Sequence, residues 1–256
     1  GLILGTTQKF WEDLDNMFLH ALNNKIYIKA VLISFDHFKN SHPKNMSWRN
    51  MINSDTNVNS LMEHYVIPFV KRYKSNPYLW SIDACNEIEW ANQDSFNGNI
   101  SWDRLQYFVA RVAVAVHENS DVLVTLGSAA VKWNSDAKGC EGNYWSDDKL
   151  RKVYDNPNAF LDFYSPHYYG WVVKWFGNFA LDKSPSDYLI DDKPCVIGEN
   201  PAGGVFFDKE LSVEASEMFI KTYRNSWCGL MPWTSNGVDK IGNIDVFASG
   251  LKKFNE

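Results

Sequence analysis

The chain alternates between two hydrophobic periods along its whole length. From Gln8 to Asn24 the apolar residues Phe10, Leu14, Met17, Phe18, Ala21 and Leu22 recur at helical spacing, and KIYIKAVLISF then switches to a β-branched run. The change repeats, with helices expected near residues 61–73, 101–118, 149–154 and 209–225 and near the C-terminus. Strands are expected at 29–35, 79–85, 121–127, 159–166, 194–200 and 229–235. Strands separated by helices imply a parallel sheet, and strands apolar throughout imply burial on both faces.

Two architectures satisfy that pattern, a doubly wound sheet and a (β/α)8 barrel. No strand is followed by the glycine-rich loop that cradles a nucleotide phosphate, so the barrel is favoured. At 256 residues, with no low-complexity linker, the chain is expected to form a single domain spanning residues 1–256. Its 11 Trp exceed what a core of this size needs and suggest a surface for flat, partly apolar ligands. A net charge of −6 without a basic block excludes a nucleic-acid or anionic-membrane partner and points to a neutral substrate. No run reaches the length of a membrane span. Four cysteines, Cys85, Cys140, Cys195 and Cys228, are too few for a disulfide scaffold and lack zinc-site spacing. N-x-S triplets at Asn45 and Asn99 hint at an extracellular protein.

In a barrel the chemistry lies where the strands end. The strands end on Asp36 and His37; on Asn86, Glu87, Glu89 and Trp90; on Ser128, Lys132 and Trp133; on His167, Tyr168 and Tyr169; on Glu199 and Asn200; and on Trp233 and Asn236. Glu87 and Glu199 each follow apolar strand residues, where a carboxylate must find hydrogen bonds or stay protonated. Two such carboxylates suit cleavage of a glycosidic bond, one as proton donor and one as nucleophile or director of water.

Asn86-Glu87 at one strand end, HYY (His167 to Tyr169) two strands later, IGE (Ile197 to Glu199) on the next and Trp233 closing the one after resemble clan A of the glycoside hydrolases, most closely family 5. The resemblance covers nearly the whole chain. It implies Glu87 as general acid/base and Asn86 as a donor to the sugar 2-hydroxyl. It makes Glu199 the nucleophile, with Tyr169 donating to it, His167 a contact to substrate or acid/base, and Trp233 the floor of the reacting subsite. Retention of configuration is implied, with carboxyl groups about 5–5.5 Å apart, and no metal or organic cofactor is needed.

The expected function is a retaining, endo-acting hydrolase of a β-1,4-linked plant polysaccharide, mannan or cellulose. The competing readings are a truncated or degenerate barrel that only binds carbohydrate, and an exo-acting β-glycosidase or transglycosylase.

The sequence departs from the family in two places. Ile88 stands where Pro usually follows Asn-Glu, and the first two β/α units have no counterpart before Gly1. The barrel is therefore expected to be N-terminally incomplete, either because the sequence is a fragment or because its missing staves are supplied by a separate segment. His37 and Trp90 are further candidates for binding substrate, while Glu89 reads as a rim carboxylate. Trp48, Trp133, Trp145, Trp171 and Trp175 lie in loops where sugar stacking and packing are both open. Lys132 reads as a solvated charge, and His20, His64 and His117 as surface or helix-end residues without function.

Overall fold

The computed structural model describes residues 2–170, 172, 182–203, 214–240 and 242–255. Two compact units emerge, Gly1–Leu126 with Trp145–Asp162, and Gly127–Tyr144 with Phe163–Glu256.

The first unit is a three-stranded parallel sheet with its helices. α1 (Gln8–Asn24) starts where the hydroxyl of Thr7 accepts from the Phe10 amide and stops where Lys25 turns left-handed, φ 57°. It leads into β1 (Ile28–Val31). Then come α2 (Asn45–Ile52), α3 (Asp55–Leu61), one wide π-turn at Met62–Val66 and α4 (Ile67–Tyr73). β2 (Leu79–Asp83) pairs with β1 and with β3 (Leu123–Thr125). Between these two strands lie the short α5 (Trp90–Gln93) and α6 (Trp102–His117), and α7 (Asp147–Val153) follows later.

α6 buries Leu105, Phe108, Val109, Val112, Val114 and Val116 among others. Each large apolar side chain withdrawn from water contributes about 1.5–3 kcal/mol, which makes this helix the main prop of the first core. β1 and β2 are tied by Lys29, whose ammonium lies 3.1 Å from the buried Asp83 carboxylate. The expected strand at 29–35 is shorter than its apolar run, but Ser34 still bridges to Asn86, so strand-like pairing continues past its end.

The second unit carries four parallel strands in the order β4 (Gly127–Ser128), β7 (Ser165–Pro166), β8 (Val196–Pro201) and β9 (Gly229–Trp233). β7 and β8 are joined through bridges at Tyr164↔Cys195 and His167↔Glu199. A small antiparallel hairpin, β5 (Asn134–Ser135) and β6 (Gly142–Asn143), occupies the long segment after β4. α8 (Ala215–Arg224) and α9 (Ile244–Asn255) complete the described part. The expected helix over 209–225 is seen from Ala215 to Arg224, and residues 209–213 lie outside the described residues.

The α/β class and the parallel pairing of the six expected strands hold. Among the described residues the strands form small separate sheets rather than one continuous closed sheet. Most of the expected strands are also shorter than the spans read from the sequence, whereas β8 runs on to Pro201. Residues 159–166 read as one strand, yet the Asp162 amide donates to Val124 and the Tyr164 amide to Pro194, leaving only Ser165–Pro166 in regular pairing.

Candidate active site

In the first unit the chain runs through Ile82, Ala84 and Cys85, all wholly buried, and then emerges at the half-buried Asn86 and Glu87. The Asn86 amide donates to Ile33 at 2.9 Å and the Phe35 amide donates to the Asn86 carbonyl at 3.0 Å, which locks this strand end against the end of β1. Glu87 takes left-handed backbone, φ 48°. That conformation costs a non-glycine residue of order 1–3 kcal/mol and persists where the surroundings impose it. Its carboxylate Oε2 accepts from the Trp90 indole at 2.9 Å.

The turn at Glu87 sends the next residues inward. Ile88, in the position where Pro was expected, is fully buried. Glu89 is not a rim carboxylate: it is 0% exposed, and Oε1 accepts from the indole of Trp145 at 2.8 Å. Trp145, also 0% exposed, packs edge-on against Trp102 and is a core residue, not a sugar platform. Burial, reinforced by the carboxylates of Asp83, Glu89, Asp36 and Glu87, pushes the Cys85 thiol well above its ordinary range, so it stays protonated and inert.

His37 lies on the 3-10 turn Phe35–Phe38 that follows β1. Its Nδ1 contacts the Ser34 backbone, and its half-buried ring packs at 4.6 Å on Trp48 and 5.3 Å from His42. Beside it, burial opposes ionisation of Asp36, but Lys39 and the Ser34 hydroxyl outweigh it and hold the carboxyl below its usual range. Arg49, which no motif singles out, braces this loop: it donates to the Phe38 carbonyl at 2.8 Å, to Asn40 and to Phe96.

In the second unit the parallel bridge between His167 and Glu199 brings two of the motifs side by side. The Tyr169 hydroxyl donates to Glu199 Oε2 at 2.8 Å, and His167 Nδ1 lies 3.4 Å from the same oxygen. The Tyr168 amide donates to the Glu199 carbonyl at 2.8 Å, and the His167 amide to Ser128 at 2.7 Å, so the backbone registers these groups before their side chains meet.

The glycine of IGE has a steric cause. A Cβ on Gly198 would lie 2.3 Å from Ser165 Oγ and 2.9 Å from its carbonyl oxygen, too close for any side chain. Trp233, 40% exposed at the end of β9, donates its indole N–H to Asp239.

Other expectations separate. Of the two readings open for Trp133 the structure takes packing, since it is fully buried and donates to Glu141, which also pairs at 2.7 Å with Lys132, so Lys132 is not the solvated charge expected. His117 is the helix-end residue of its two readings, closing α6, and its Nε2 lies 3.0 Å from Asp162. Cys85 and Cys195 are buried free thiols, whereas Cys228 is exposed. Trp171 and Trp175 lie outside the described residues.

No protein-family model matches the chain. A mannan endo-1,4-beta-mannosidase of Cryptopygus antarcticus is 24% identical over 258 residues, covering 92% of this chain and 65% of that protein. The chain therefore spans just under two thirds of the length of this curated relative. Among solved structures, an endo-1,4-β-mannanase from Eisenia fetida superposes with a TM-score of 0.83 at 23% identity, covering 98% of this chain and 72% of that one. A β-1,4-mannanase from the sea hare Aplysia kurodai gives 0.82 at 21% identity, covering 98% and 74%. A hyperthermophilic endocellulase from Pyrococcus horikoshii gives 0.58 at 17% identity, covering 96% and 74%. These likenesses show a shared fold. With the strand-end motifs they bear out the resemblance of this chain to clan A of the glycoside hydrolases, most closely family 5.

Proposed function

We propose that the chain carries the catalytic groups of a retaining, endo-acting β-1,4-glycan hydrolase whose polymer is mannan. Its parallel strands are read as staves of a (β/α)8 barrel. The observation that carries this reading is the Tyr169 hydroxyl on Glu199 Oε2, with His167 beside the same oxygen. Such a carboxylate is kept ionised and aimed, as a nucleophile requires.

In the proposed reaction Glu199 attacks the anomeric carbon while Glu87 gives its proton to the departing glycosidic oxygen, which leaves with the bonding electron pair. Water then attacks the glycosyl ester, Glu87 takes its proton, and Glu199 leaves as carboxylate. Asn86 donates to the 2-hydroxyl, His37 and His167 contact the sugar, and Trp233 offers it an apolar face. Mannan is preferred over cellulose because the curated relative and several structural neighbours bear mannanase names. A polymer of this size would be met outside the cell.

The test is reducing-sugar release from mannan and from carboxymethyl cellulose, with the anomer of the first product read by proton NMR. Release by wild type with retained configuration, abolished in Glu199→Gln, supports the reading. Oligosaccharide binding by Trp fluorescence without release overturns it in favour of a protein that only binds sugar.

A further inference from the structure

Sugar stacking by Trp90 would use its ring face and leave its nitrogen without a role. In the structure that nitrogen donates to Glu87 Oε2 at 2.9 Å, between two half-buried side chains. The contact closes a short loop, since the Trp90 amide also donates to the Glu87 carbonyl at 3.2 Å. Glu87 is held in left-handed backbone, φ 48°, within this loop. The loop is pinned from its other side by Glu89, fully buried and bonded to Trp145. The two carboxylates are thereby divided, with Glu89 committed to the core and Glu87 to the strand end.

We infer that Trp90 is a positioning residue for Glu87, its indole holding Oε2 as the acceptor oxygen so that Oε1 carries the proton delivered to the leaving group. An N–H donor is best met by the carbonyl oxygen of a neutral carboxyl, which places the acidic hydrogen on the other oxygen. As the glycosidic C–O bond breaks, the Oε1–H bond breaks with it and the proton passes to the leaving oxygen, which takes the C–O electron pair. The carboxylate left behind keeps its indole bond, now charge-assisted and stronger. In the second step Oε1 recovers a proton from the attacking water. This inference rests on Glu87 being the acid/base, as proposed above.

Trp90→Phe keeps the aromatic ring and loses the donor. The variant is assayed on mannan and on a dinitrophenyl β-glycoside, whose leaving group needs no proton. The expected result is a kcat on mannan about ten-fold lower, a smaller change on the activated glycoside and little change in KM.

A rise in KM on both substrates with kcat unchanged overturns the inference and makes Trp90 a sugar platform. If Trp90→Phe does not fold, Trp90→Gln, which restores an N–H donor without the ring, carries the same comparison. A kcat on mannan near wild type with KM unchanged then supports the inference, and an equal loss of kcat on both substrates overturns it. Glu87→Ala separates the two layers. Unchanged mannan hydrolysis in Glu87→Ala removes the acid/base reading itself and this inference with it. Activity lost there but untouched in Trp90→Phe removes this inference alone.

Discussion

The Trp145 indole nitrogen donates to Glu89 Oε1 at 2.8 Å, with both side chains completely withdrawn from water and 56 residues apart in sequence. The bond joins the loop after β2 to the segment before α7, so it stabilises the turn from which Glu87 projects. Taking one partner from a buried hydrogen bond costs about 1–3 kcal/mol, more when the group left behind is charged. Trp145→Phe is therefore expected to destabilise the protein more than Glu89→Gln, which keeps an acceptor oxygen. Urea unfolding of both variants checks this order, and an equal or reversed order refutes it.

Glu199 draws its polar support from Tyr169 and His167. A hydrogen bond to a charged group contributes about 1.5–3 kcal/mol, which as a barrier corresponds to roughly 10- to 100-fold in rate. Tyr169→Phe is expected to lower kcat on mannan by that factor while leaving thermal stability close to wild type. Unimpaired turnover would dissociate Tyr169 from the nucleophile.

Gly198 admits no side chain because Ser165 fills the space where a Cβ would stand. Gly198→Ala forces β7 and β8 apart beside His167 and Glu199, at a cost of about 1–3 kcal/mol for an overpacked core. Ser165→Gly in the same chain removes the 2.3 Å conflict with Oγ but not the 2.9 Å approach to the carbonyl, so it should restore part of the lost stability. Thermal unfolding of the two single variants and the double variant measures the coupling, and strict additivity would place the strain elsewhere.

His117 predicts a pH dependence in the first unit. Burial works against its charged form, but the Asp162 carboxylate and the Asn158 carbonyl outweigh burial and raise its pKa above the ordinary 6.5. A folded pKa above the unfolded one means the protonated imidazole is favoured by folding. Its contribution is fully present below the unfolded value and is lost as pH rises through the raised folded value. Wild type should lose stability relative to His117→Gln across that window, with the difference constant at more acidic pH. Urea midpoints of both proteins from about pH 5 to about pH 9 test this, and parallel curves refute it.

The sequence by itself determined the α/β class, the parallel strands and the residues on which those strands end. Periodicity and the change from apolar to polar are local properties, set by backbone repeat and burial. Asn86 and Glu87 stand out for that reason, as do His167, Tyr169 and Glu199. Only the tertiary structure decided that Glu89 faces inward while Glu87 does not, since the left-handed backbone at Glu87 breaks the strand's alternation. It also withdrew Trp133 and Trp145 into the core, gave His117 its carboxylate from residue 162 and set Ser165 against Gly198. The contacts of Trp145, His117 and Gly198 depend on two segments far apart in the chain being brought within a few ångströms. A hydrophobic period names the face a residue occupies and carries no information about the partner that will lie against it.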